Sequence, residues 1–530
     1  MKRITLLLVA ILSLPIFSYS GGIVHNTNQS AAWVRMFARD ASTNIDAVFY
    51  NPAGLTKLGD GFYISLNSQT LFQNRKINSD YQYLNNSPTD YEGSVTVPVM
   101  PSIYASYNTG KFAFSLGVNI IGGGGSAEFG NGLPSFEMAI ADLYPAFASK
   151  GVTAYNMNGY LKGSSIFWGI QAGASYEIND IFSVYLGARY VTAKNTYEGY
   201  LKDITVTAGG TTMPASVFVS GVSDQLQATS TDITNAIDDG FLIDDAAFAD
   251  PEGIEALTGL GLYKTGMTNK QAAEAFGIGA FGMNQKATIL QDQTADIVQT
   301  GTGITPIIGV NISPNDKLNI GLKYEFKTKI ELENEVDEGK GFLYGYDVLT
   351  PLYKYPDGEI NRNDMPALFT VGVDYKITDA FLISTGLHYY FDKTADYGKK
   401  IAGVHMDNDQ IIDNNYWEWA LGLQYNINDK FLISGGYLRA QSGVSEEFQT
   451  DIDYKISSNT YGIGGAYSLT SMIDVNLAIA YTKYVEDSKS FDYAIAGSPV
   501  NIANVTETYN RDNFFIAIGL DFKFGKKKAE

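Results

Sequence analysis

Phe514-Phe515-Ile516-Ala517-Ile518-Gly519-Leu520-Asp521-Phe522-Lys523-Phe524 alternates without a break. In an extended chain successive side chains point to opposite sides. Phe514, Ile516, Ile518, Leu520, Phe522 and Phe524 therefore share one face, and Phe515, Ala517, Gly519, Asp521 and Lys523 the other. One face is apolar; the other is mostly small or charged. A strand of a soluble sheet can carry that pattern. Here the same dyad recurs along a chain that opens with an export signal, and the combination predicts a membrane barrel.

The signal is Lys2 and Arg3, an apolar run from Ile4 to Phe17, and Ser18-Tyr19-Ser20 as a small-residue cleavage site. It predicts a signal peptide over 1–20 and a mature start at Gly21. The run is shorter than the roughly 20 residues a spanning helix needs. No later stretch is apolar for long enough, so insertion has to use strands closed into a barrel, which leave no backbone group unpaired in lipid. The 36 Tyr, 29 Phe and 54 Gly of the 530 residues suit strands that are apolar on one side only. There is no Cys, which excludes disulfides and thiolate chemistry. The net charge of −20, or −22 once Lys2 and Arg3 are removed, argues against nucleic acid as a partner.

Strand pairs are joined by tight polar turns. Asn179-Asp180, Pro314-Asn315-Asp316, Thr378-Asp379, Asn428-Asp429 and Thr470-Ser471 each separate two alternating runs, and Asn and Asp tolerate the backbone a short hairpin demands. Counting from turn to turn predicts strands near 61–73, 99–108, 111–122, 164–178, 181–196, 297–313, 317–333, 365–377, 380–392, 414–426, 430–442, 457–469, 472–486 and 511–524. The fold expected is an all-β, 14-stranded antiparallel transmembrane β-barrel over 59–524, with a polar tail at 525–530. Short turns alternate with long connections, the longest at 123–163 and 197–296, so the short ones should face the periplasm. Leu318, Ile320, Leu322, Tyr324 and Phe326, and likewise Trp417, Trp419, Leu421, Leu423 and Tyr425, should meet lipid.

Before the first strand, residues 21–58 do not alternate. They include Trp33, Met36 and Phe37, then Val48-Phe49-Tyr50 and Asn51-Pro52-Ala53-Gly54-Leu55. So apolar a segment does not dangle in water, and its economical place is inside the barrel as a plug.

With that segment, its Asn-Pro-Ala turn and fourteen predicted strands, the chain resembles the FadL-type family of outer-membrane transporters for long-chain fatty acids and other hydrophobic compounds. The resemblance spans the mature chain in architecture and rests, in residues, on Asn51, Pro52 and Ala53. It implies a bacterial outer-membrane protein whose N-terminal hatch, here 21–58, blocks the lumen. It also implies a monomer working with hydrophobic small molecules and outer-membrane lipid.

In such transporters an outer loop after the third strand carries helices that first catch the ligand. Here that loop holds Phe136, Met138, Ile140, Leu143, Tyr144 and Phe147, with Ser135 as the expected N-cap. They either form a capture groove or pack the loop on its neighbour. The resemblance also implies an inward kink in the third strand; Gly122-Gly123-Gly124-Gly125 would supply it or else form a flexible start to the loop. In the 197–296 loop, Asp250-Pro251 and the capping box Thr268-x-x-Gln271 predict helices across the mouth. Asp238, Asp239, Asp244 and Asp245 match no 12-residue calcium loop and read as a solvated acidic face.

No catalytic residue and no cofactor or metal is called for. There is no Gly-x-Ser-x-Gly, and His25, His388 and His405 are the only histidines, so an enzyme is not expected. The alternatives are a porin for polar solutes, which the acidic charge favours, a haem receptor through His25 or His388, another hydrophobic-ligand receptor, and a surface-adhesion role. The expected function is hydrophobic uptake: capture by the loops, passage into the lumen, and hatch-gated release, with lateral exit into the membrane as one route.

Overall fold

The computed structural model describes residues 23–27, 29–85, 89–401, 404–495 and 502–525. The expected signal peptide at 1–20, plug residues 21, 22 and 28, and tail residues 526–530 lie outside them.

Fourteen strands make the wall. They are β1 Gly61–Ser79, β2 Thr89–Thr109, β3 Phe112–Phe129, β4 Val152–Glu177, β5 Phe182–Ala208, β6 Gln293–Asn315 and β7 Leu318–Glu325. They continue with β8 Leu368–Lys376, β9 Phe381–Tyr390, β10 Trp417–Asn426, β11 Phe431–Gln441, β12 Ser458–Thr470, β13 Ile473–Tyr484 and β14 Ile502–Gly525. Each pairs antiparallel with the next, and β14 closes on β1 from Gly61↔Gly525 to Ser79↔Glu507. Closure leaves the sheet no free edge.

The dyad sets the faces. On β14, Ile516 and Ile518 are 46% and 49% exposed while Ala517 between them is 1% exposed, so the apolar set faces outward toward lipid. Trp419, Leu421, Leu423 and Tyr425 are likewise exposed on β10, with Glu418 and Ala420 buried toward the lumen.

β7 is shorter than expected. The run predicted over 317–333 stops at Glu325, Thr328 makes a single bridge to Met365, and the next strand is Glu331–Gly341, because the intervening backbone turns in across the luminal face of Gly301 and Gly303. Side chains at either glycine would collide with it: a Cβ at Gly301 would overlap the Glu331 carbonyl, and one at Gly303 would lie 2.5 Å from Thr328 Cγ2.

The long loops build an extracellular cap. Between β3 and β4 lie helices α1 Pro134–Ala141 and α2 Leu143–Ala146; between β5 and β6 lie α3 Ala215–Asp238, α4 Pro251–Gly259 and α5 Asn269–Ile289. Asp250 caps α4 with Pro251 in its first turn, and Thr268 and Gln271 form the capping box of α5. At α1 the expectation fails. Leu133, not Ser135, is the N-cap, because Pro134 takes the first helical position, where its missing N–H costs nothing. Both predicted loops are shorter than expected, since β3, β4, β5 and β6 run on beyond the membrane as paired strands.

Candidate functional site: a luminal apolar cluster beneath a hatch

Residues 23–27 and 29–58 thread the lumen from the extracellular cap down to the start of β1. Near the top, Ile23 packs with Ala395, Tyr397, Ile411 and Phe448 of the outer loops. Lower down, Met36 lies against Gly422 and Gly436 on β10 and β11. Its carbonyl sits where a Gly436 side chain would begin, and a Cβ at Gly422 would be 2.8 Å from it. The small inward residues of the barrel are thus the seat of the hatch rather than free lumen.

The Asn51-Pro52-Ala53 turn is tied to the wall on three strands. Asn51 Nδ2 donates to Asn311 Oδ1 on β6 at 2.7 Å and to the Ser42 carbonyl at 3.0 Å. The Pro52 carbonyl accepts from Ser175 Oγ on β4 at 2.7 Å, and that of Ala53 from Ser183 Oγ on β5 at 2.9 Å. Inside the hatch, Arg39 grips Asp46 through Nε at 2.7 Å and Nη2 at 2.8 Å, both residues being buried. Burial by itself would raise the Asp46 carboxyl; the Arg39 guanidinium and the Ser42 hydroxyl outweigh it and hold the group below its usual range.

Two histidines link the segment to the wall. His388 on β9 donates from Nε2 to Asp40 at 2.7 Å and from Nδ1 to Glu418 at 2.9 Å; carboxylates only accept, so both ring nitrogens carry protons. His25 meets Asp392 at 2.9 Å and stacks on Tyr416 at 3.9 Å. Both imidazoles are thus engaged with carboxylates.

Above the Asn-Pro-Ala turn the lumen is filled by an apolar cluster. Val24, Phe49, Tyr104, Ile121, Phe167, Val191, Ile330, Leu332 and Met365 pack together, all buried. At its side, Glu325 accepts from Arg189 Nη1 at 2.6 Å, Lys323 Nζ at 2.7 Å and Asn26 Nδ2 at 3.0 Å. The Phe49 ring lies 5.1 Å from the Arg189 guanidinium and 5.0 Å from the Lys323 ammonium, while its carbonyl accepts from Lys323 at 2.7 Å.

The wall beside this cluster is interrupted. Between β2 and β3 the ladder skips from Val95↔Ala127 to Ser102↔Asn119. Gly123 and Gly124 have φ of 66° and 115°, which L side chains rarely adopt, so the tetraglycine run lets β3 bulge against β4 at this point. Val95, Val97, Met100 and Ile120 fill the break. The hatch touches it directly. Thr27 N–H donates to the Ile121 carbonyl at 2.7 Å and Gln29 Nε2 to that of Ile120 at 2.7 Å.

Phe136, Met138, Ile140, Leu143 and Phe147 are buried in the cap with Tyr81, Tyr91, Phe276 and Tyr493, and Tyr144 is the one member of the set that is exposed, at 38%. The stretch from Pro134 to Phe147 therefore presents little open apolar surface. Asp238, Asp239, Asp244 and Asp245 are exposed. At the periplasmic end a cavity of about 540 Å³ is lined by polar groups, among them Arg35, Asn67, Gln424, Asp474, Asp521 and Lys523.

Sequence reasoning missed the Arg189–Glu325–Lys323 cluster and the β6–β7 break. Inward charges on neighbouring strands hinted at the first, and Gly301-Thr302-Gly303 followed by Thr305-Pro306 at the second.

The profile of the family described as outer membrane protein transport protein (OMPP1/FadL/TodX) matches residues 11–524. The fold is similar to a Pseudomonas aeruginosa FadL homologue, at 13% identity and TM-score 0.58 over 95% of this chain and 100% of the other. It is also similar to the toluene transporter TodX of Pseudomonas putida, at 13% identity and TM-score 0.50 over 91% and 95%. No curated protein matches the sequence.

Proposed function

Because the chain belongs to the outer membrane protein transport family of OMPP1, FadL and TodX, we propose that it takes up hydrophobic small molecules through a bacterial outer-membrane barrel. The carrying observation is the juxtaposition of a closed apolar cluster, a break in the wall beside it, and a hatch whose Thr27 and Gln29 hydrogen-bond the broken strand.

Every CH₂ that leaves water for an apolar site gains about 0.8 kcal/mol, so an apolar molecule collects where Phe49, Phe167 and Ile330 now pack. To bind, it has to displace those side chains or shift the hatch that supplies Val24 and Phe49. The same shift strains the bonds from Thr27 and Gln29 to β3. Loading is thereby coupled to the break between β2 and β3, and the apolar lining there by Val97, Met100 and Ile120 favours lateral release into the bilayer. The periplasmic cavity offers charged and amide groups instead, a poor route for the same molecule. The loops carrying Phe136 and Tyr144 serve first contact, the protein acts as a monomer in outer-membrane lipid, and the route needs no catalytic group.

Displacement of a fluorescent long-chain fatty acid from the purified protein tests the reading, with residues 21–58 deleted in a second sample. Saturable displacement that changes on deletion is expected. Its absence, together with large ion conductance in the intact protein, would overturn the reading in favour of a porin.

A further inference from the structure

The barrel wall is broken a second time, between β6 and β7. Ile307↔Glu325 is the last pair of the lower ladder, with the Phe326 N–H still donating to the Pro306 carbonyl at 3.0 Å, and Thr300↔Glu333 is the first of the upper one, so Gly301–Thr305 lacks ladder partners on that side. The chain from Thr328 to Leu332 bends inward across Gly301 and Gly303 and places Ile330 and Leu332 in the luminal apolar cluster. Both breaks lie on one cross-strand row, which runs Ile120, Trp168, Thr192, Thr302 through the ladders of β3 to β6. Each combines glycines with prolines: Gly122 to Gly125 with Pro98 and Pro101 at the first, Gly301 and Gly303 with Pro306 at the second.

On the outer surface the inward bend leaves a groove of about 860 Å³. Ile166, Trp168 and Ile360 give it apolar surface, Thr192 and Thr302 give hydroxyls, and Lys194 stands in it as an exposed cation with no ion pair among the described residues. Glu331 and Glu333 border it, and Glu331 lies 3.6 Å from Arg362. Directly below, Ile170, Tyr190 and Ile304 are exposed and apolar, which sets the groove at the upper margin of the lipid-facing band. Ala193 lines the groove and also belongs to the luminal cluster, so a single thickness of chain separates the two.

We propose that this groove is a second cargo site, on the membrane face of the barrel, which binds an anionic single-chain amphiphile and exchanges it with the lumen past the 328–332 bend. The chain lies on Trp168 and Ile360, and the carboxylate meets Lys194 and the threonine hydroxyls. Bilayer phospholipid shares the acyl chain, but the occupant of the groove is the free acid. The inference rests on hydrophobic uptake as the function, and the two can fail separately.

Of the four tryptophans, Trp168 stands in the groove and Trp33 packs on the luminal cluster. Two variants of the full-length protein, each keeping one of these and carrying Phe at the other three positions, are placed in lipid nanodiscs and titrated with a dibrominated stearate. Saturable quenching of both is expected. Thr302→Phe, which fills the groove from outside, should weaken the quenching of Trp168 about tenfold and leave that of Trp33 in place, and Lys194→Gln should act in the same direction. Saturable quenching of Trp33 with Trp168 quenched only in proportion to total brominated chains, brominated phospholipid included, would make the groove ordinary lipid surface. That overturns the second site and spares the function. Quenching of neither overturns both.

Discussion

At Gly436 the Met36 carbonyl occupies the place of a side chain, whereas at neighbouring Gly435 a Cβ would meet only the Gly462 carbonyl at 3.6 Å. The two positions make a matched pair. Gly436→Val forces the hatch off β11, and overpacking of this kind costs about 1–3 kcal/mol. Single-channel recording in planar bilayers should show intermittent openings for Gly436→Val and a quiet baseline for Gly435→Val. Equal behaviour would show that Met36 is not held there. Asp46 tests the hatch from within. Its carboxyl is depressed in the folded chain, so its contribution is present above the ordinary value of 3.8 and is lost as pH falls through the lower folded value. Protection of residues 39–46 from hydrogen exchange should therefore survive mild acid and fail only below the usual carboxylate range. In Asp46→Ala the buried Arg39 guanidinium is left without its partner, at a cost of about 3–5 kcal/mol, and protection should already be weak at neutral pH.

At the scale of elements, the strands were legible because one-sided burial in lipid writes a two-residue period into each of them. β14, β10 and the Asn-Asp turns carried that period in full. Where an element serves something other than lipid contact the period misleads. Leu318 to Tyr324 alternates as a wall strand should, and the alternation says nothing of the inward bend after Phe326, which only the missing side chains of Gly301 and Gly303 on neighbouring β6 leave room for. Ser135 looked like a cap by type, but Pro134 takes the first helical position and moves the cap two residues back, to Leu133. The apolar residues of α1 were visible, yet whether they face water depends on Tyr81 and Tyr493, which arrive from other loops, and on Tyr91 at the upper end of β2. The β2–β3 break yields a prediction at this scale. Met100, 2% exposed, fills it, and its Cε stands 2.6 Å from where a Gly124 Cβ would be. Met100→Ala should widen the break and speed transfer of a fluorescent fatty acid into the bilayer of proteoliposomes, for a loss of about 2–5 kcal/mol of packing. Unchanged or slower transfer with intact binding would place the exit elsewhere, and the β6–β7 break is the other opening in the wall.

Across the whole molecule the hatch is held at separate heights by separate parts of the barrel. Its lower end, through Asn51, Pro52 and Ala53, is bonded to β4, β5 and β6. Its middle, through Asp40, is bonded to His388 on β9 and through it to Glu418 on β10, on another part of the wall. A hatch fixed this way can let go of one side while the other holds, which suits a gate that has to move without leaving the barrel. His388→Leu removes the imidazole that donates to both Asp40 and Glu418 and leaves Asp40 facing an apolar side chain while Glu418 keeps the Tyr416 hydroxyl, so the middle anchor should fail while the lower one stays. Hydrogen exchange of the variant should then be faster over 36–46 and close to that of the parent over 49–58. Loss of protection over both stretches together would mean that the hatch releases as one unit, and the two-anchor account would have to be abandoned.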